Sequence, residues 1–177
     1  IIDIDNQGIN VYNFADVSAY LVTEGDNIRV LGQITQYNGL IEVVADSILL
    51  ISSDMFTFTP TVVTALNEDT ESQWITLESV NFVDPIATFP TGTNNLDVTD
   101  GTNVYTIRID GDTDIPGGAV PQGLFDVTGV GGQYDSSSPF DSGYQLFPCG
   151  LGSFVLNDVS GITEAFATLS VAPNPFQ

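Results

Sequence analysis

The run Asn27-Ile28-Arg29-Val30-Leu31-Gly32-Gln33-Ile34-Thr35-Gln36-Tyr37, then Asn38-Gly39, then Leu40-Ile41-Glu42-Val43-Val44-Ala45-Asp46-Ser47-Ile48-Leu49-Leu50-Ile51, decides the fold. Its first arm alternates Ile28, Val30, Gly32 and Ile34 with Arg29, Leu31, Gln33 and Thr35, the two-residue period of a strand. Asn-Gly tolerates the positive φ of a two-residue turn, so the second arm runs back beside the first as a hairpin. Around it the chain is rich in Thr, Val, Ile, Phe and Tyr, and no window carries a sustained helical period. At most, 15–22 and 64–72 are expected to hold a short helical turn.

Working outward, the hairpin belongs to a repeat. Gly8-Ile9-Asn10-Val11-Tyr12 matches Gly101-Thr102-Asn103-Val104-Tyr105, and Ile28-Arg29-Val30-Leu31-Gly32 matches Phe125-Asp126-Val127-Thr128-Gly129. Gln36-Tyr37-Asn38 matches Gln133-Tyr134-Asp135 at the same spacing as the second pair. Two blocks in one order predict two copies of a single β-unit, the second with a longer connection through Asp110–Gly123. That copy opens on a strong strand, Gln73–Phe82, whose counterpart in the first copy projects before residue 1. The first unit is therefore expected to lack its opening strand and to leave edge N–H and C=O groups in need of a mate. The predicted organisation is all-β: an incomplete unit over 1–56, a complete unit over 57–158 and an extended tail over 159–177. The apolar stretch Ile162–Val171, stopped by Pro173-Asn174-Pro175, is a candidate donor strand. A chain opening on Ile1 is expected to be processed or a fragment.

Composition limits the partners. The 177 residues are 42% hydrophobic, enough for a core, yet carry 23 carboxylates against only Arg29 and Arg108, a net charge of −21. Such a chain offers no basic patch to neutralise phosphates, so nucleic acid is not an expected partner. Salt and divalent cations, which relieve self-repulsion, are expected companions. No apolar run reaches the length of a membrane span. Cys149 is the lone cysteine, so no intrachain disulfide forms, and its neighbours Leu146-Phe147-Pro148 favour a small buried hydrophobe over a reactive thiol.

Gly32–Val43 resembles the central hairpin of the OB-like domains found in secreted bacterial nucleases and multidomain surface proteins. Phe125–Asp135, followed by Gly143-Tyr144-Gln145-Leu146-Phe147-Pro148, is similar to tandem domains of this kind in Bacteroidetes extracellular proteins. The resemblance covers residues 1–156 and implies two tandem OB-like antiparallel barrels or sandwiches, with motifs that are structural rather than catalytic. Where the family continues with Arg after Leu-Phe-Pro, this chain has Cys149-Gly150-Leu151-Gly152, so a ligand contact by that Arg does not carry over. Leu169–Phe176 resembles the opening of the C-terminal sorting domain of type IX secretion substrates, which implies export and an extracellular or cell-surface location.

The chemistry available is narrow. Without His or Lys, nucleophile–base systems that use either are impossible, as are P-loops and zinc sites built on His or multiple Cys. Asp141-Ser142-Gly143 has the letters of an aspartic-protease site but occurs once and reads as a turn. Asp110, Asp112 and Asp114 alternate as Ca²⁺ ligands in a flexible loop do, although Ile115 and Pro121 break the EF-hand pattern. Asp3-Ile4-Asp5-Asn6 is a weaker candidate of the same kind. Tyr37 and Tyr134, equivalent in the two copies, are expected to pack over a barrel end; stacking on a ligand is the alternative. The sequence thus predicts a non-catalytic extracellular structural or adhesive protein, a filament subunit that self-associates by strand addition, with no enzyme activity and no membrane insertion. A ligand-binding module of a larger secreted nuclease or polysaccharide-degrading enzyme is the alternative.

Overall fold

A computed structural model describes residues 1–2, 5–13, 16–53 and 58–157. Its strands are β1 (Asn10–Tyr12), β2 (Asn27–Tyr37), β3 (Leu40–Ser52), β4 (Thr61–Val62), β5 (Trp74–Phe82), β6 (Asn94–Thr99), β7 (Val104–Ile109), β8 (Phe125–Gln133), β9 (Tyr144–Phe147) and β10 (Phe154–Leu156). The helical content among these residues is two short 3-10 turns, Glu68–Thr70 and Leu151–Ser153. The first falls within the stretch 64–72 and begins at an Asn67 capping box. The protein is all-β.

The hairpin forms as its alternation dictates. Asn38 and Gly39 turn the chain at φ 49° and 96°, and β2 pairs antiparallel with β3 from Tyr37↔Leu40 back to Asn27↔Ser52. One bulge lies between Leu31 and Gly32. β1 adds in parallel on the far side of β3, giving a three-stranded sheet ordered β1-β3-β2.

From β5 onward the chain closes a five-stranded barrel. β5, β6 and β7 form an antiparallel meander, β9 joins β7 in parallel, and β8 lies antiparallel to β9 and then to β5. That last pairing runs from Trp74↔Val130 to Val80↔Phe125, with Thr76 and Thr128 sharing a 2.7 Å hydroxyl hydrogen bond across the seam. A bulge between Leu77 and Val80 accommodates Ser79 at φ 53°, whose N–H donates to Asp126. Closure abolishes the edges and turns one row of each strand inward. Ile75, Leu77, Val80, Val98, Ile107, Ile109, Phe125, Val127 and Leu146 are fully buried there. Phe82, Phe89, Phe125 and Phe154 add a four-ring cluster, with centroids 4.9–5.9 Å apart, where β5 ends and β8 begins.

Among the described residues the sheet has no comparable interior. Among the described buried hydrophobics, Ala45 alone lies before residue 58, and the contiguous core draws entirely on the barrel. The two parts meet at the hairpin turn. The Asp135 N–H donates to the Asn38 carbonyl at 2.6 Å, the Ile41 N–H donates to Glu71 Oε1 at 2.9 Å, and Gly39 lies against the Gln133 amide. Asn6 adds a two-way bond: the Trp74 N–H donates to its Oδ1, and its Nδ2 donates to the Trp74 carbonyl, both at 3.2 Å. That side chain occupies an edge position of β5 as a strand neighbour would.

Candidate functional site: an open sheet edge

The sheet β1-β3-β2 repeats in order and sense the barrel segment β7-β9-β8: a parallel pair, then an antiparallel one. In the barrel, β8 has β9 and then β10 along one edge and β5 along the other. β2 has β3 along the whole of the first edge, and among the described residues no strand lies along the second.

The two outer edges of the sheet differ. Beyond β1, the edge of β3 is blunted by side chains: Asn13 Nδ2 donates to the Ala45 carbonyl, and the Ile48 N–H donates to Ser18 Oγ at 3.0 Å. Such caps satisfy backbone groups that would otherwise invite another chain. The β2 edge carries no such cap among the described hydrogen bonds.

Beside that edge one face is apolar and half-buried, and the other mixes apolar with polar side chains. Cross-strand pairing puts Ile28, Val30, Ile34, Val43, Ile48 and Leu50 on one face, and Leu31, Leu49, Tyr37 and Leu40 on the other. Ile34 is 74% exposed and Leu31 61%, values that leave most of each side chain in water. The arrangement can form a backbone ladder and bury the aliphatic rows beside it.

The residues singled out for chemistry fall elsewhere and are engaged by the main chain. Asp110 Oδ1 accepts from the Asp112 N–H at 3.0 Å, closing a turn on itself, and Asp114 Oδ1 accepts from the Leu151 N–H at 2.8 Å. Among the described residues, no three carboxylate, Cys or His side chains converge as a metal site, so the structure does not gather Asp110, Asp112 and Asp114 around one point. Asp3 and Ile4 of the weaker candidate lie outside the described residues, as does Ile162–Val171. Asp141-Ser142-Gly143 lies in the irregular stretch ahead of β9, where Ser142 Oγ donates to Asp135 at 2.7 Å and Gly143 takes φ 71°. Ser137 donates to the same carboxylate through its N–H and hydroxyl, and with Ser142 holds the Asp135 carboxyl below the usual carboxylate range.

Two sequence expectations need correction. Cys149 is exposed rather than buried, because it follows β9 in the turn that leads to Leu151–Ser153. Desolvation of the sulfur, and then the Glu24 carboxylate, push its thiol up, away from the thiolate a reactive cysteine needs. Tyr37 and Tyr134 do not each cap a barrel end. Their rings contact one another edge to face at 6.3 Å, and both remain largely exposed.

A network that the sequence reading passed over surrounds Asp100. Its carboxylate accepts from the Thr102 and Asn103 N–H groups at 2.7 Å each and from the Tyr105 hydroxyl at 2.7 Å. These donors, the Asn103 N–H foremost, hold its carboxyl well below the ordinary value. Tyr105 also donates to the Thr64 carbonyl, so the cluster fastens the β6–β7 turn to the chain ahead of β5. A shallow groove lined by Thr64, Leu66, Asn103, Tyr105 and Tyr144 opens beside it. The signal was present as Asp100-Gly101-Thr102-Asn103, a turn sequence, but the tyrosine partner was not readable from it.

No family model matches the chain, and no curated protein or solved structure matches it. Among the described residues, no helix is long and apolar enough to cross a membrane.

Proposed function

We propose that this protein is a non-catalytic extracellular structural or adhesive module, a filament subunit that assembles by β-strand addition. The observation that supports the reading is the β2 edge, along which no strand lies among the described residues, beside the exposed Leu31 and Ile34 and on a sheet whose described residues form no core cluster. A three-stranded sheet needs a covered face to be stable, so added strands would supply both the missing ladder and the missing cover. In this reading both parts are OB-like units. The barrel has counterparts of all five strands, whereas β1, β3 and β2 correspond to β7, β9 and β8. Completion then requires counterparts of β5 and β6, two strands rather than the single opening strand expected from the repeat spacing.

Strand addition suits the composition. Affinity comes from main-chain hydrogen bonds and alternate side chains, and needs neither the basic residues nor the catalytic groups that this sequence lacks. With 23 carboxylates per chain, copies repel at low ionic strength, so assembly should strengthen as salt screens them. The extracellular location rests on the sequence resemblance described above.

Sedimentation and negative-stain electron microscopy of native material test the reading. Expected are elongated oligomers whose mean mass rises with protein and salt concentration. A monomer that remains fully folded at high dilution, with the β2 amides protected from exchange, overturns it.

A further inference from the structure

The barrel shows what the strand along β2 must look like, and a segment of the same sequence fits. β5 lies along β8 as Trp74-Ile75-Thr76-Leu77, then the bulge at Glu78-Ser79, then Val80. The tail contains Phe166-Ala167-Thr168-Leu169-Ser170-Val171. With one residue omitted at the bulge, Thr168, Leu169, Ser170 and Val171 coincide with Thr76, Leu77, Ser79 and Val80. Phe166 stands for Trp74, and Ala167 for Ile75. Omitting one residue matches the bulge, since β5 spends three steps from Leu77 to Val80 where β8 spends two from Val127 to Phe125. A segment without it pairs as a regular strand.

From this correspondence we infer that Phe166–Val171 of a second copy lies antiparallel along the edge of β2 that no described strand covers, Phe166 opposite Gln33 and Val171 opposite Ile28. The inference rests on the proposed self-association and deepens it by naming donor, acceptor and register. Carried over from β5 on β8, the register sets Ala167 against Gly32, Thr168 against Leu31 and Leu169 against Val30. Directly opposed residues share a face. Leu169 therefore extends the row Val30–Ile48, and Val171 the row Ile28–Leu50, on the face where Ile34 is otherwise bare. The segment carries no charge, so it enters a strongly acidic surface without added repulsion, and Pro173 ends its capacity to donate to a ladder. A donor tail on one copy and an acceptor edge on the next make a head-to-tail contact, the kind that propagates into filaments.

Disulfide trapping tests the register, because opposed Cα atoms in an antiparallel pair lie within bridging distance and those two residues off do not. In a Cys149→Ser background, full-length Leu31→Cys chains are mixed with full-length Thr168→Cys chains under mild oxidation. Cross-linked pairs are expected, and are expected to be lost when Leu31→Cys is replaced by Arg29→Cys or Gln33→Cys. In the otherwise natural chain, Leu169→Asp should abolish the oligomers seen by sedimentation while leaving the folded barrel intact. Oligomers that form without the matched cross-link, or that survive Leu169→Asp, overturn the donor assignment and leave self-association standing. A bond formed only within one chain carrying both cysteines overturns the second copy as the source. A folded monomer with no cross-link overturns both the assignment and the assembly reading.

Discussion

Asp135 donates its backbone N–H to the carbonyl of Asn38 at 2.6 Å, and these two residues occupy equivalent positions in the two sequence repeats. Their neighbours Tyr37 and Tyr134, also equivalent, touch ring to ring. The same three-residue element, Gln-Tyr-Asn or Gln-Tyr-Asp, therefore meets its own repeat where sheet and barrel join. The contact is mostly polar, and it holds the sheet beside the closed barrel.

Gly39 is a close approach in that junction. It sits at φ 96°, and a β-carbon there would lie 2.2 Å from Gln133 Oε1. Gly39→Ala should cost the docked sheet about 1–2 kcal/mol from the left-handed backbone alone, with the clash in addition. Hydrogen exchange is expected to show faster β2 and β3 amides and unchanged barrel amides. Equal loss across both parts would mean that they unfold as one unit.

The acid limb of the stability curve should carry two opposing contributions. Hydrogen-bond donors depress the Asp100 carboxyl in the folded state, so its stabilisation is present above the ordinary carboxylate value. It fades as pH falls below about 4. Glu71 is raised, first by burial, with one oxygen accepting from Ile41 and the other lacking a partner. Its contribution is present below the ordinary value and is lost as pH rises through the folded one. In Tm measurements from pH 2 to 8, Asp100→Asn should flatten the acid limb, and Glu71→Gln should raise Tm at neutral pH.

Truncation should act very differently in the two parts. Phe125 is fully buried within the four-ring cluster, and Phe125→Ala should destabilise the barrel by about 3–5 kcal/mol. Ile34 is mostly in water, so Ile34→Ser should change unfolding of the monomer by less than about 0.5 kcal/mol. Denaturant titration checks both, and the same Ile34→Ser protein should show weakened oligomers by sedimentation.

Asp110 and Asp114 spend their carboxylates on backbone N–H groups. Asp114→Ala should loosen the turn at Leu151 and cost about 0.5–1.5 kcal/mol. Millimolar Ca²⁺ should raise Tm no more than an ionic-strength-matched divalent control does. A Ca²⁺-specific shift that vanishes in an Asp110→Asn, Asp112→Asn, Asp114→Asn variant would show that the loop rearranges to bind metal.

How far the fold was legible depended on the range of the interaction. The β2–β3 hairpin was readable because alternation and an Asn-Gly turn are local, and strand β5 because Trp74–Phe82 is rich in β-branched and aromatic residues. Cys149 was misread because its apolar neighbours say nothing about which way a turn after β9 points. The Asn6 clamp on Trp74, 68 residues away, and the burial of Glu42 beside Asn10 left no local mark at all.

The sequence by itself determined an all-β chain, the hairpin with its turn, and the lack of histidine and lysine side chains, since each follows from residue type, period or count. The tertiary structure alone decided which part closes. Closure depends on β5 finding β8 some fifty residues later, and a strand's outer edge is full or empty according to what folds against it. The same alternation that buries Val127 in the barrel leaves Ile34 bare in the sheet, because burial belongs to the assembled layers and not to the strand.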